Sequence, residues 1–233
     1  MNDDNKMPLA LITGVGPGTG AAIARRFAAG GYRVAMLARD EGRLKSLEAE
    51  LPGSIAVACD VTDAAALEKA LALVGMPEVV VHNAVSGAWG NFMEIDAATL
   101  QQNFNVNTMA LLHLAKLTTP AMVAAGKGAL IVTGNTSALR GKTFFSSFAP
   151  TKAAQRILAE SIAREVGPKG VHVAYMIIDA VIDSPWQRER LPNAADDFFI
   201  SPASIADETW HLAHQPRDAW TFLSEIRPFR EPW

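Results

Sequence analysis

The segment T-G-V-G-P-G-T-G, residues 13–20, follows a short apolar run and opens a stretch of helical period. Such a loop can hold a pyrophosphate. Its glycines permit a tight turn and a close backbone approach, and the helix N-terminus adds unpaired N–H groups and a positive dipole end. Thr13, Gly14, Gly16, Pro17, Gly18, Thr19 and Gly20 are therefore candidate phosphate-binding residues, led by Gly14, Gly18 and Gly20; an ordinary turn is the alternative. The next apolar run ends in L-A-R-D, with Ala38 and Arg39 at its tip. A carboxylate at that tip would accept from adenosine ribose hydroxyls and repel a 2′-phosphate, whereas an arginine pairs with one. Asp40 argues for the unphosphorylated dinucleotide, but it also stands where a helix cap belongs. The balance favours NADP(H), with NAD(H) as the alternative.

A second group of candidates surrounds F-F-S-S-F-A-P-T-K, residues 144–152. Lys152 and Phe148 are four apart, so on a helix they share a face. Asn135, Thr136 and Ser137 end an apolar run and could polarise a carbonyl, or simply form a turn. His82 closes another run, as a hydrogen-bonded core histidine or as a general acid. Asp179 is a turn residue or a new acid or base, and Arg140 and Lys142 either solvate a loop or flank the cleft and attract an anionic substrate.

These residues sit between short apolar runs and longer helical patterns. The runs at 7–13, 33–38, 54–59, 78–84, 129–134, 171–178 and 219–226 read as strands. Helices are expected over 18–31, 41–51, 63–75, 104–125, 148–166 and from Ser201–Pro202 to near His214. The early strands are continuously apolar rather than alternating, which is the pattern of a parallel sheet buried on both faces. Alternating strands and helices imply right-handed crossovers and one doubly wound α/β domain over residues 1–233. The irregular stretch at 184–200 follows the sixth strand and should lie at the carboxyl ends of the strands, where substrates bind.

Composition excludes several classes. Across 233 residues the apolar share is 49%, enough for a sizeable core. The net charge of −3 gives no electrostatic case for nucleic acid or for an anionic membrane. The single cysteine, Cys59, precludes an intrachain disulfide framework and a Cys-rich metal centre. The acidic, polar N-terminus does not read as a secretory signal, and no apolar stretch approaches the ~20 residues of a spanning helix. A soluble, cytoplasmic protein without a metal is expected.

Taken together, T-G-V-G-P-G-T-G, C-D-V-T-D (59–63), H-N-A-V-S-G (82–87), F-N-V-N-T (104–108) and T-K-A-A-Q (151–155) resemble the motifs of the short-chain dehydrogenase/reductases, in order and over nearly the whole chain. The resemblance implies a single-domain Rossmann fold with a mostly parallel seven-stranded sheet and helices on both faces. It implies that Asp60 and Val61 flank the adenine, that Asn83 packs the sheet and faces the ribose, that Asp179-Ala180 is the turn touching the nicotinamide, and that Ala84 and Val181 also bind the cofactor. It also assigns Lys152 to the ribose and Asn107 to a water joining that lysine to solvent. His82 and Val85 depart from the family's N-N-A-G.

The larger departure is Phe148, which stands where the family carries its proton-donating tyrosine; thirteen residues before it, Asn135 stands for a serine, with Thr136 and Ser137 adjacent. The resemblance implies an NADP(H)-dependent oxidoreductase acting on a small carbonyl or alcohol with a nonstandard proton donor, either a water ordered by Lys152 and Asn107 or a hydroxyl from Thr136 or Ser137. A dinucleotide-binding pseudoenzyme, serving as redox sensor or partner-binding module, is the second reading; a lyase or isomerase is the third. A homodimer or homotetramer joined through the helices at 104–125 and 148–166 is also implied.

Overall fold

The computed structural model describes residues 7–231, so the polar N-terminal stretch at 1–6 lies outside the described residues. Seven strands form one parallel sheet: β1 (Leu9–Thr13), β2 (Arg33–Ala38), β3 (Ile55–Ala58), β4 (Val79–His82), β5 (Gly128–Asn135), β6 (Val171–Ile178) and β9 (Leu223–Ile226). Their order, β3-β2-β1-β4-β5-β6-β9, reverses direction between β1 and β4. At such a switch point two crossovers leave on opposite faces and open a crevice beyond the strand ends.

Side-chain alternation divides the core in two. Leu9, Leu11, Leu37, Val80, Leu130, Val132 and Tyr175 face one side, against α3 (Ala64–Val74), α5 (Ala110–Ala125) and α6 (Ala149–Val166). Ala10, Ile12, Met36, Val81, Ile131 and Met176 face the other, against α1 (Thr19–Ala29), α2 (Glu41–Glu50) and α8 (Pro202–Ala213). Both faces are apolar, which is why the strands read as unbroken runs.

The helix starts follow local chemistry. Asp40, Asp63 and Ser201 cap α2, α3 and α8 through their side chains. α4 (Ala97–Phe104) is capped by Asp96 and passes into a π turn at Asn105–Met109 before α5 begins. The single helix expected over 104–125 is therefore corrected to a helix, a widened turn and a second helix. A two-residue ribbon, β7 (Val181–Ile182) with β8 (Phe199–Ile200), brackets the short helix α7 (Pro185–Arg190) within the irregular 184–200 stretch.

β5 and β6 carry a steric lock beneath the crevice. A Cβ added at Gly134 would lie 2.1 Å from the Tyr175 ring, and Tyr175 is fully buried. The tyrosine can occupy β6 only because β5 has glycine there. Gly134→Ala is expected to destabilise the protein by about 1–3 kcal/mol through overpacking, seen as a lower urea midpoint at unchanged slope. An unchanged midpoint would show that the ring has room to move.

Candidate active site and cofactor cleft

The glycine loop leaves β1 and opens α1. Gly14 has φ +68°, and a Cβ there would lie 2.5 Å from the Ala84 Cα; at Gly20 it would lie 2.6 Å from the Gly14 carbonyl oxygen. The chain's own packing requires these two glycines. Gly16 and Gly18 differ: a Cβ on either would meet nothing within 4 Å, and both line a cavity of about 870 Å³. No side chain caps the first turn of α1. Bare glycine backbone and uncapped amides facing a large cavity fit a dinucleotide pyrophosphate. Thr19 also lines the cavity, whereas Pro17 and Thr13 do not. Thr13 is buried, with its hydroxyl 3.1 Å from His82 Nδ1 and accepting a long 3.4 Å bond from the Ala84 amide.

Asn83 fastens the loop. Its Nδ2 donates to the Gly14 carbonyl at 2.9 Å, and its Oδ1 accepts from the Thr133 hydroxyl at 3.1 Å. It thereby joins the ends of β1, β4 and β5. Asn83 and Ala84 both line the cavity.

At the tips of β2 and β3 the cavity is lined by Ala38, Arg39, Asp40, Arg43, Cys59, Asp60 and Val61. Asp40 caps α2 by accepting from the Arg43 amide at 3.0 Å, and its second oxygen pairs with Arg43 Nε at 3.0 Å. Arg43 is a cation the motifs did not single out; its place three residues after the cap was the available signal. The Thr62 amide and hydroxyl both donate to Asp60, and with Arg39 nearby they hold its carboxyl below the ordinary range. Burial, aided by Asp60 and Asp63, pushes the Cys59 thiol up to about 11, so it stays protonated.

Lys152 lines the same cavity but is only 2% exposed. Its ammonium donates to the Thr133 carbonyl at 3.1 Å and to Gln155 Oε1 at 2.5 Å. Burial lowers its pKa from 10.5 to about 7. Asn107 is fully buried in the π turn and does not line the cavity. Its side chain bonds within the protein: Nδ2 donates to the Ser86 carbonyl and the Thr151 hydroxyl, both at 2.8 Å, and Oδ1 accepts from the Ser86 amide at 3.0 Å. Asn105 instead accepts from Gln101 on the helix surface. His82 is fully buried with Nε2 unpartnered beside the Val106 and Asn107 carbonyls. Burial, and next the Lys152 charge, lower its pKa to about 3, so it is a neutral core group.

Several expected residues lie elsewhere. Asn135 lines the cavity, but its Oδ1 accepts from the Ser137 amide at 3.1 Å and caps the 3₁₀ turn at Thr136–Ala138. Thr136 and Ser137 are buried in that turn and do not line the main cavity. Ser137, Arg140 and Lys142 line a separate cavity of about 600 Å³, so the expectation that both cations flank the main cleft is corrected. Asp179 and Val181 also lie outside the lining, while their neighbours Ile178, Ala180 and Ile182 are in it. The Asp179 carboxylate is instead within 4.0 Å of Arg227 at the end of β9.

Phe148 is buried at the start of α6, outside the cavity lining. Its ring packs beside Trp89 and Phe145, at centroid distances of 5.8 and 6.4 Å. A clasp holds this aromatic group. The Gly90 amide donates to the Phe144 carbonyl at 3.0 Å, the Ser147 hydroxyl donates to the Ala88 carbonyl at 2.7 Å, and Phe144 adopts φ +68°.

A doubly wound parallel sheet with a glycine loop at its switch point and a buried lysine in the crevice defines a class of oxidoreductase. This chain belongs to the short-chain dehydrogenase family, whose model matches residues 8–194. L-xylulose reductase from Bos taurus is 33% identical over 165 residues, covering 70% of this chain and 68% of the relative. A metagenomic short-chain oxidoreductase solved in complex with NADP is 28% identical, superposes with TM-score 0.82 and covers 95% of this chain and 97% of its own. An alcohol dehydrogenase from Thermococcus sibiricus, complexed with 5-hydroxy-NADP, is 25% identical with TM-score 0.85, covering 97% and 98%. Among the described residues no helix is long and apolar enough to cross a membrane.

The buried lysine makes stability depend on pH. The unfolded chain keeps its lysine proton to about 10.5, whereas the folded, ligand-free chain releases it near 7. Between those values the unfolded state binds more protons, so stability contributed at this site rises with pH; below about 7 the burial penalty is present in full. Lys152→Met is expected to flatten that rise, measured as a smaller difference between urea midpoints at about pH 6 and about pH 9. Equal differences in both proteins would mean that Lys152 does not titrate in this window.

Proposed function

We propose that this chain binds NADP(H) in the 870 Å³ cavity and interconverts a small carbonyl and its alcohol, with the Lys152 ammonium in place of a phenol as the proton donor. The observation that carries this reading is Lys152 itself. It is a cavity-lining group held near neutrality, and Phe148 occupies the neighbouring position where the family's tyrosine would stand. A general acid works best with a pKa close to operating pH. Thr136 and Ser137, the hydroxyl alternatives, are buried off the lining.

The bare backbone at Gly16 and Gly18 would hold the pyrophosphate, and Arg39 and Arg43 beside small Ala38 would receive a 2′-phosphate. The NADP-containing relatives support that preference. When bound, the nicotinamide supplies or accepts the hydride. Ile178, Ala180 and Ile182 would form the apolar wall at the reacting end, and the 184–200 stretch would cover the substrate. There Arg188 is clamped by Asp183 at 2.7 Å and by Asp196 at 2.5 Å. Self-association through α5 and α6 belongs to the same reading, because Met109 and Ile157 are large apolar residues exposed beside and on those helices. A cytoplasmic location follows from the family likeness.

Binding without turnover is the second reading, favoured by the burial of Phe148 in an aromatic cluster with no hydroxyl. Loss of reduced-nicotinamide absorbance across a panel of small ketones and aldehydes separates the two. Under the lysine-acid reading, the reduction rate falls as pH rises through about 7, where the ammonium is lost. Binding with no turnover on any substrate would leave the second reading.

Two substitutions probe cofactor and acid separately. Arg39→Ala should weaken NADPH by about 1–3 kcal/mol and barely affect NADH in fluorescence titrations. Equal losses would remove Arg39 from the 2′-phosphate. Phe148→Tyr should raise ketone reduction by about 10- to 100-fold, since it puts a phenol beside an ammonium that favours its ionisation. No gain with cofactor still bound would mean that the ring edge does not face the reacting carbonyl.

A further inference from the structure

Behind Lys152 lies a polar residue, the last of T-K-A-A-Q, to which the motif assigns no role. Gln155 is fully buried on α6, and every bond its amide makes stays inside the protein. Its Oε1 accepts from the Lys152 ammonium at 2.5 Å and from the Tyr175 hydroxyl at 3.1 Å. Its Nε2 donates to the Asn107 carbonyl at 2.6 Å. The side chain thus spans the gap between the ammonium and the π turn, which a leucine or alanine at this position would leave apolar or open.

We propose that Gln155 is a positioning residue: it anchors the Lys152 ammonium to the π turn, fixes its reach into the cavity, and closes the helix side of the site to proton exchange, leaving the cavity as the route by which Lys152 gains and loses its proton. The geometry carries each part. An amide oxygen between two donors accepts both, yet an amide does not pass an acidic proton onward as a hydroxyl or water does. With two of the three ammonium hydrogens directed to Thr133 and Gln155, one is left for the cavity. The Gln155 bond to the Asn107 carbonyl also ties α6 to the widened turn.

Few ionisable groups surround the ammonium. From β4, His82 is neutral; from β6, Tyr175 stays a phenol because burial raises its pKa; Arg156, on α6 itself, acts on Tyr175 from the same side. On the cavity side the charged lining groups are Arg39, Asp40, Arg43 and Asp60. Burial is the cause of the lysine shift, so the carbonyl and the amide oxygen are what hold the charge there.

The use of Lys152 as an acid rests on the proposed function; the hold of Gln155 on Lys152 does not. The experiment therefore reads the lysine directly, by NMR titration of full-length, ligand-free protein carrying ¹³C-labelled lysine, with Lys152→Arg to assign the signal. Gln155→Leu removes the acceptor and should lower the Lys152 midpoint by about one to two pH units, the size of one lost hydrogen bond to a charged group. Gln155→Glu keeps an acceptor and adds a charge, and should raise the midpoint above that of wild type. NADPH affinity, titrated against pH, should show its inflection move with each midpoint. A midpoint unmoved in either folded variant would overturn the anchoring role. Because Gln155→Leu risks unfolding, Gln155→Glu alone decides: an upward shift supports the proposal and an unchanged midpoint sinks it. If both variants shift the midpoint while ketone reduction shows no dependence on it, the anchor stands and the lysine-acid reading fails.

Discussion

A positive charge kept out of water organises the centre of this molecule. Lys152 is almost wholly buried, and an ammonium in that state persists only where fixed dipoles replace its hydration. The replacements come from separate elements: a main-chain carbonyl at the end of β5 and an amide on the next turn of α6. That amide in turn engages β6 through Tyr175 and the π turn through Asn107. Tyr175 fits because β5 has a glycine opposite it. The lysine therefore ties together side chains on β5, α6 and β6, and its charge is felt by His82 on β4.

The cofactor end is built on a different constraint, the closeness of two backbones. Gly14 and Ala84 approach so nearly that no side chain fits between them, and Asn83 ties that approach to the neighbouring strand. The glycine loop thereby has a rigid half, set by protein contacts, and an open half whose shape is left to the ligand. The two ends of the cleft meet at Thr133, whose hydroxyl donates to Asn83 and whose carbonyl accepts from Lys152.

The sheet was legible because both its faces are buried, which made each strand a continuous apolar run, and because Asp40 and Ser201 announced helix starts. The last strand was read four residues too long. Residues 219–222 fold over β6 instead, where Trp220 stacks on His172 at 4.9 Å. The helix at 104–125 was misread because period alone does not reveal where a turn widens, and Asp96 had already begun the preceding helix. In the cleft, Gly16, Gly18, Arg39, Asp60, Asn83 and Lys152 line one cavity, but residue type does not give side-chain direction. Asn135 spends its oxygen on a cap, and Asp179 turns toward Arg227. Gln155 closes T-K-A-A-Q, but its role was not legible, because a glutamine within a helix looks like a solvated residue until the fold buries it.

The π turn at Asn105–Met109 amounts to one extra residue inserted into what would be a single helix. Each residue of an α-helix advances it by about 100°. The widened turn takes up that step, so Leu111 and Leu114 beyond it stay sealed against the sheet. The same residue inserted into a regular helix would swing them toward solvent. The bulge is therefore how the chain carries one residue more here and still keeps the dry side of α5 dry, with the Asn107 carbonyl turned to Gln155.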